Sequence, residues 1–413
     1  MTALPQPTAT PAPTHDASLD GLRGVAATIV VIHHYLLGLY PAMVFNQPET
    51  IKSPLDTLVA TTPLNLLIGG HFAVCIFFVL SAHVLTKNHV ANANGLALIS
   101  AMAKRYPRLG IPVFVSVMIS FLALCVKKVF FNHMDPTQPS TATQMGFNWV
   151  TSLKDALFEG SAGALLFGNA KFNPPLWTIS TEFYGSMGIF AILLLLPSGR
   201  PTWRWVAYAL LIPLTWETYY LAFILGMTLS ELTSHPKFLS HWVHPNPYLP
   251  YFILIGGLFL GSVPMHHTDW QGTVYEHINS TVWRPAYHIA GAYLLVMSVI
   301  IGGGIKRMLS ARPFKFLGEI SFSMYLLHIV VIQYIGHKLI KMLSPYTGFH
   351  SAVGLMAILT FSLILMVSIN FRNHVDKKAI QLSAKVGIYI KKYRHYPFPM
   401  NALIRKGMRR SAF

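Results

Sequence analysis

Arg23 and His34 have the side-chain types and the spacing for buried polar chemistry. Both lie in the apolar run SLDGLRGVAATIVVIHHYLLGLY, from Ser18 to Tyr40. A guanidinium is a permanent cation suited to phosphate or carboxylate, and an imidazole can take and return a proton near neutral pH. As a helix, the eleven-residue spacing turns through ~1100°, about 20° past three full turns. The two residues then share one face, ~16 Å apart along the axis, and His33 points ~100° away. Ionised side chains are costly in a bilayer, so they mark a protein-lined or water-filled path. The plainer alternative is that Arg23 reaches the headgroups and His34 joins helices by a hydrogen bond.

Further along, AKRYPRLGIP places Arg105 and Arg108 at the mouth of a later apolar run, three residues apart and on one face if the helix starts early enough. Pro107 between them is acceptable in a first turn. The pair reads either as ordinary basic flanking of a membrane span or, with Arg23, as a phosphate clamp. NPPLWTISTEFYGS opens another run, with Pro174 and Pro175 at its start, Trp177 at the interface and Glu182 deeper. Counted from those boundaries, Glu182 and His34 lie at matching depth, ~10 Å and ~9 Å below the same surface. A buried carboxylate needs a polar partner, so Glu182 is expected to pair with His34 or an arginine; on His34 it would fix the tautomer and strengthen the base, with a structural ion pair as the alternative. In EISFSMYLLHIV, His328 falls near mid-membrane, with Ser321, Ser323 and Tyr325 nearer one end, as tunnel lining or helix joints. Ser81 lacks a Gly-x-Ser-x-Gly setting and reads as a packing hydroxyl, not a nucleophile. His266, His267, His277 and His288 lack tight ligand spacing, so no metal site is expected.

The elements that must position these residues follow from composition. The chain has 413 residues, 53% hydrophobic and 11% charged, with mean hydropathy +0.48. That profile excludes an ordinary soluble domain and indicates an all-α, polytopic membrane bundle. Ten spans are expected, roughly 19–40, 64–86, 109–130, 175–197, 203–217, 218–232, 249–263, 284–303, 317–341 and 350–371. A long loop, 131–174, contains a short helix over about 149–167. The net charge of +17 sits at span ends and in the tail without a nucleic-acid motif, so it reads as positive-inside topology with both termini cytosolic. Residues 1–17 are Pro/Thr-rich and expected to be disordered, 18–371 form the membrane domain, and 372–413 form a basic cytosolic tail held by anionic lipid. No cleavable signal is visible, and Cys75 and Cys125, inside apolar runs, imply no disulfide framework. The protein is expected in an endomembrane or the plasma membrane.

Taken in order, SLDGLRGVAATIVVIHHY, FFVLSAHVLT, KRYPRLGIP, NPPLWTISTEFYGS and SFSMYLLH resemble the acyltransferase 3 family of membrane acyltransferases, in its fungal-looking single-domain form. The resemblance runs from about 18 to 370. Arg23 and His34 match the arginine and histidine of the family's first span, whereas Ala82-His83 replaces the glycine and apolar residue usual after the serine. It implies transfer of an acyl group from acyl-coenzyme A, a co-substrate and not a resident cofactor, to a hydroxyl of a sugar, lipid or small natural product. On that reading His34 and Glu182 are catalytic, Arg23, Arg105 and Arg108 hold the donor, and Trp177, Tyr325 and His328 contact substrate. General-base and acyl-histidine mechanisms both remain open. The rival class is a proton-coupled transporter or permease using the same buried Arg, His and Glu.

Overall fold

The computed structural model describes residues 16–45, 50–90, 95–130, 152–196, 201–235, 246–265 and 270–392. Helix α1 (Ala17–Leu39) starts at Asp16, whose side chain accepts from the Ser18 backbone N–H, and short α2 (Pro41–Phe45) and α3 (Pro54–Thr61) follow. Then come α4 (Gly70–Val90) and α5 (Gly95–Phe130). α6 (Leu153–Phe158) runs through a π-helical turn into α7 (Ala164–Phe167), and α8 (Trp177–Leu195) follows a 3₁₀ turn at Pro174–Leu176. Next are α9 (Pro201–Leu214), α10 (Tyr220–Ser234), α11 (Leu249–Gly261), α12 (Pro285–Ile301) and α13 (Gly303–Leu309). α14 (Arg312–Val331) passes through a π-helical turn into α15 (His337–Thr347). α16 (Phe349–Phe371) does the same into α17 (Lys377–Lys392).

Each of the ten expected segments is helical, and the described residues contain no strand. Among the described residues, six stretches are long and apolar enough to cross a membrane, and α12 with α13, bent by 95°, make a seventh if taken as one span. α10 and α11, at 15 and 13 residues, are shorter than an unaided crossing needs.

α1 and α14 pack most extensively. Their backbones meet at glycine: a Cβ on Gly24 would stand 2.5 Å from the Gly318 nitrogen, and one on Gly318 would stand 2.2 Å from the Asp20 carbonyl oxygen. Without side chains there, the two axes approach closely enough for dispersion and backbone contact to hold them where lipid offers no hydrophobic drive. Farther up, Tyr35 bonds Thr360 at 2.8 Å and Tyr40 bonds His350 at 2.7 Å, tying α1 to α16. At the base, Lys306 of α13 donates to Asp16 at 2.8 Å. Burial alone would raise the Asp16 carboxyl, but hydrogen bonds from Lys306 and Ser18 and the lysine charge outweigh it and hold it below the ordinary range.

Two boundaries differ from expectation. α5 begins at Gly95, so Pro107 is interior, and by the usual proline geometry the Ala103 carbonyl loses its helical donor. α16 does not stop where a tail was expected. Helix continues to Lys392, with Ser100 of α5 donating to the Gly387 carbonyl at 3.3 Å. Of the basic residues assigned to the tail, Lys377, Lys378, Lys391 and Lys392 belong to α17, whereas Arg394, Arg405, Lys406, Arg409 and Arg410 lie outside the described residues, as do 1–15, the polar start of the 131–174 loop, His266 and His267.

Gly24→Leu should force α1 from α14. Overpacking of this kind costs ~1–3 kcal/mol, read as a lower midpoint of thermal unfolding in detergent. An unchanged midpoint would mean the two backbones do not meet there.

Candidate active site

A cavity of about 490 Å³ opens at the Arg23 end of the bundle, between α1, α4, α5, α8, α14 and the turn leading into α17. Five of the eight expected site residues line it: Arg23, Arg105, Arg108, Glu182 and Tyr325. His34, His328 and Trp177 do not.

Its polar wall is built from ion pairs. Arg105 Nη2 donates to Glu182 Oε1 at 2.7 Å, and the Ser81 hydroxyl donates to the same oxygen. Arg108 donates to Asp376 at 2.5 Å and sits 5.3 Å over the Phe322 ring. Arg23 bonds Asp20 at 3.0 Å, one turn back on α1, and Arg372 bonds Glu319 at 2.9 Å. The first of these pairs is well enclosed, with side chains 15% and 17% exposed, so each ion depends on the other. The apolar wall includes Val74, Phe77, Phe78 and Ile179.

Glu182 therefore does not orient His34. The depth argument took Pro174 and Pro175 as the outer surface, but that turn lies inside the bundle. Asn173 is fully buried and donates to the Leu326 carbonyl at 2.7 Å. The Tyr325 hydroxyl donates to the Pro175 carbonyl at 2.8 Å and lies 2.7 Å from that of Thr178. The preceding segment explains the placement. Tyr106 donates to the Ser161 carbonyl at 2.6 Å, Tyr184 donates to that of Leu166, and Phe172 packs against Phe121. α6 and α7 thus dip along α5 and climb back before α8 begins. Tyr325 is one turn from His328, and Glu182 one turn beyond Thr178. At ~1.5 Å per residue this puts Glu182 about 10 Å from the histidine level, beside the arginines.

The partner of His34 is His328. Their rings lie 4.9 Å apart, with His328 Nε2 3.2 Å from His34 Nδ1. Backbone carbonyls set the protons, because a carbonyl oxygen can only accept. His34 Nδ1–H donates to Val30 O at 2.8 Å, and His328 Nδ1–H donates to Met324 O at 3.1 Å. His328 Nε2 is then an acceptor facing the His34 Nδ1–H, and the free lone pair of His34 is on Nε2. His33 points elsewhere, as its register predicts, with Nδ1 2.8 Å from the Ile68 carbonyl oxygen.

Trp177, 38% exposed, packs on Tyr219 at a ring distance of 5.3 Å. A second polar chain runs there. His288 Nε2–H donates to Val263 O at 2.7 Å, His71 Nδ1 is 3.0 Å from His288 Nδ1, and His71 Nε2 is 2.5 Å from the Tyr219 hydroxyl. The first bond orders the rest: His71 Nδ1–H donates to His288, and the Tyr219 hydroxyl donates to His71.

Sequence reading missed Asp20, Asp376, Glu319 and Arg372 as cavity residues. The signal for Asp20 was its place three residues before Arg23, on the same face. No comparable signal marks the others, because their partners are remote in sequence.

The open cavity thus carries ion-paired arginines on its polar wall, and the His34–His328 pair lies one turn beyond Tyr325 on its apolar side. Residues 16–371 match the acyltransferase domain of the acyltransferase 3 family, and the chain belongs to that family. Over 446 aligned residues it is 21% identical to a protein named acyltransferase clz18 from the fungus Cochliobolus lunatus, covering 87% of this chain and 93% of that one. No solved structure is significantly similar. With six or seven helices able to cross a bilayer, this is a multi-pass membrane protein of an acyl-transferring family.

Removing one partner of an enclosed ion pair costs ~3–5 kcal/mol, whereas neutralising both costs far less. Arg105→Gln should lower thermal stability more than Arg105→Gln with Glu182→Gln. If the double variant is no better than the single one, the two charges are not coupled.

Proposed function

We propose that the protein transfers an acyl group from acyl-coenzyme A to a hydroxyl of a sugar, lipid or small natural product. The observation that carries this reading is one cavity with Arg23, Arg105 and Arg108 at its mouth and Tyr325, one turn from the His34–His328 pair, on its inner wall. Guanidinium forks match phosphate oxygens, so they receive the nucleotide end of the donor. The ~16 Å from Arg23 to His34 along α1 is on the order of an extended pantetheine arm, which would bring the thioester past Phe77 and Tyr325 to the imidazole.

His34 Nε2 takes the proton of the acceptor hydroxyl as its oxygen attacks the thioester carbonyl carbon. The C–S bond breaks, and the coenzyme A thiolate leaves with the proton returned from His34. Val30 O and His328 Nε2 share the His34 Nδ1–H, at 2.8 and 3.2 Å, and together orient the base, the role that the sequence assigned to Glu182. Glu182 instead holds Arg105 in place for the donor. The reaction needs no resident cofactor.

For topology we infer ten crossings with both termini cytosolic, α10 and α11 being short spans sheltered by their neighbours. This places the arginine mouth toward the cytosolic pool of acyl-coenzyme A. The membrane is an endomembrane or the plasma membrane.

His34→Ala should reduce thiol release from acyl-coenzyme A by ~10²–10⁴-fold while leaving donor binding within about twofold. Arg23→Ala should do the reverse, weakening donor binding most. Near-normal turnover in the His34 variant would remove it as the base, and substrate flux into proteoliposomes without thioester consumption would replace the reading with transport.

A further inference from the structure

The cavity holds four arginines, Arg23, Arg105, Arg108 and Arg372, and four carboxylates, Asp20, Glu182, Glu319 and Asp376. Every guanidinium is matched by one carboxylate. The wall is therefore balanced in charge, and a polyphosphate gains little from entering unless at least one carboxylate gives way.

Which one gives way follows from solvent. Asp376, Asp20 and Glu182 have side chains 8%, 12% and 17% exposed, so turning from their arginines would leave a poorly solvated charge. Glu319 is 37% exposed and can rotate into water, because a solvated pair is held only weakly. Its partner Arg372 is 28% exposed, close to Arg23 at 33% and Arg108 at 29%. Arg372 opens the π-helical turn Arg372–Asp376, whose last residue is gripped by Arg108. That grip fixes the turn against α5, and Arg372 lines the same cavity as α5's arginines.

We propose that Arg372 is a fourth guanidinium for the donor's phosphates and that Glu319 is the counter-ion it exchanges for them. This rests on the donor being a coenzyme A thioester. Glu319 meets Arg372 through Oε2 at 2.9 Å from a solvated side chain, whereas a phosphate brings more charge and can take the guanidinium bidentately, so exchange runs toward the bound donor. Glu319 then excludes weaker anions from the mouth while the site is empty.

The test is titration of coenzyme A, lacking any acyl group, into the full chain in detergent. Arg372→Gln should weaken affinity about tenfold, the effect of one charge-assisted contact, and Arg372→Lys by less. Glu319→Gln should tighten it by roughly threefold, and the same change made in the Arg372→Gln background should have no effect, since the guanidinium that Glu319 competes for is gone. Unchanged affinity in Arg372→Gln, or weaker affinity in Glu319→Gln, overturns the assignment. If Arg23→Gln weakens binding while both Arg372 variants do not, the donor reading stands and the fourth cation alone falls. If the unaltered chain binds no coenzyme A, both fall.

Discussion

Inside a bundle of low dielectric constant, a guanidinium must meet an anion. Arg105 meets it in Glu182, Arg108 in Asp376 and Arg372 in Glu319, and these bonds cross from α5 to α8, from α5 to the turn before α17, and from that turn to α14. The same contacts that keep each charge tolerable also pin the cavity walls to one another. Altering any of these charges therefore alters the packing as well.

The division of the two polar layers is the other consequence. Charges collect at one end of the cavity, and the His34–His328 imidazoles lie about 10 Å from Glu182 by helical rise, separated by Tyr325, Thr178 and the phenylalanines of α4. The two Nδ1 protons of His34 and His328 are fixed by carbonyls of their own helices, so the pair needs no carboxylate to define its tautomers.

Much of this was legible in the chain because the informative spacings are local. The eleven-residue step from Arg23 to His34 fixes a shared face whatever surrounds it, and Arg105 and Arg108 lie three apart on one helix. The acyltransferase blocks were readable for the same reason. What failed was depth. The Pro174–Pro175 turn has the look of a membrane surface, yet it lies beside Leu326 because the segment before it runs along α5 and brings Asn173 to α14. Nothing in a linear hydropathy pattern separates a helix that begins at the interface from one that begins at mid-depth. Arg372 and Asp376 escaped notice because a run of lysines followed them, and the composition of a tail concealed one further stretch of cavity wall.

The Asp20–Arg23 pair differs from the other three in being internal to one helix. α14, against which this helix finally rests, is nearly 300 residues farther along the chain. During synthesis the first helix must wait in or beside lipid until almost the whole protein has been made. A cation whose only counter-charge came from α14 would spend that interval unneutralised. With a carboxylate one turn away, the ion pair closes as soon as the helix winds, so the nascent segment carries its own counter-charge through translation and needs only the late arrival of its glycine-faced neighbour.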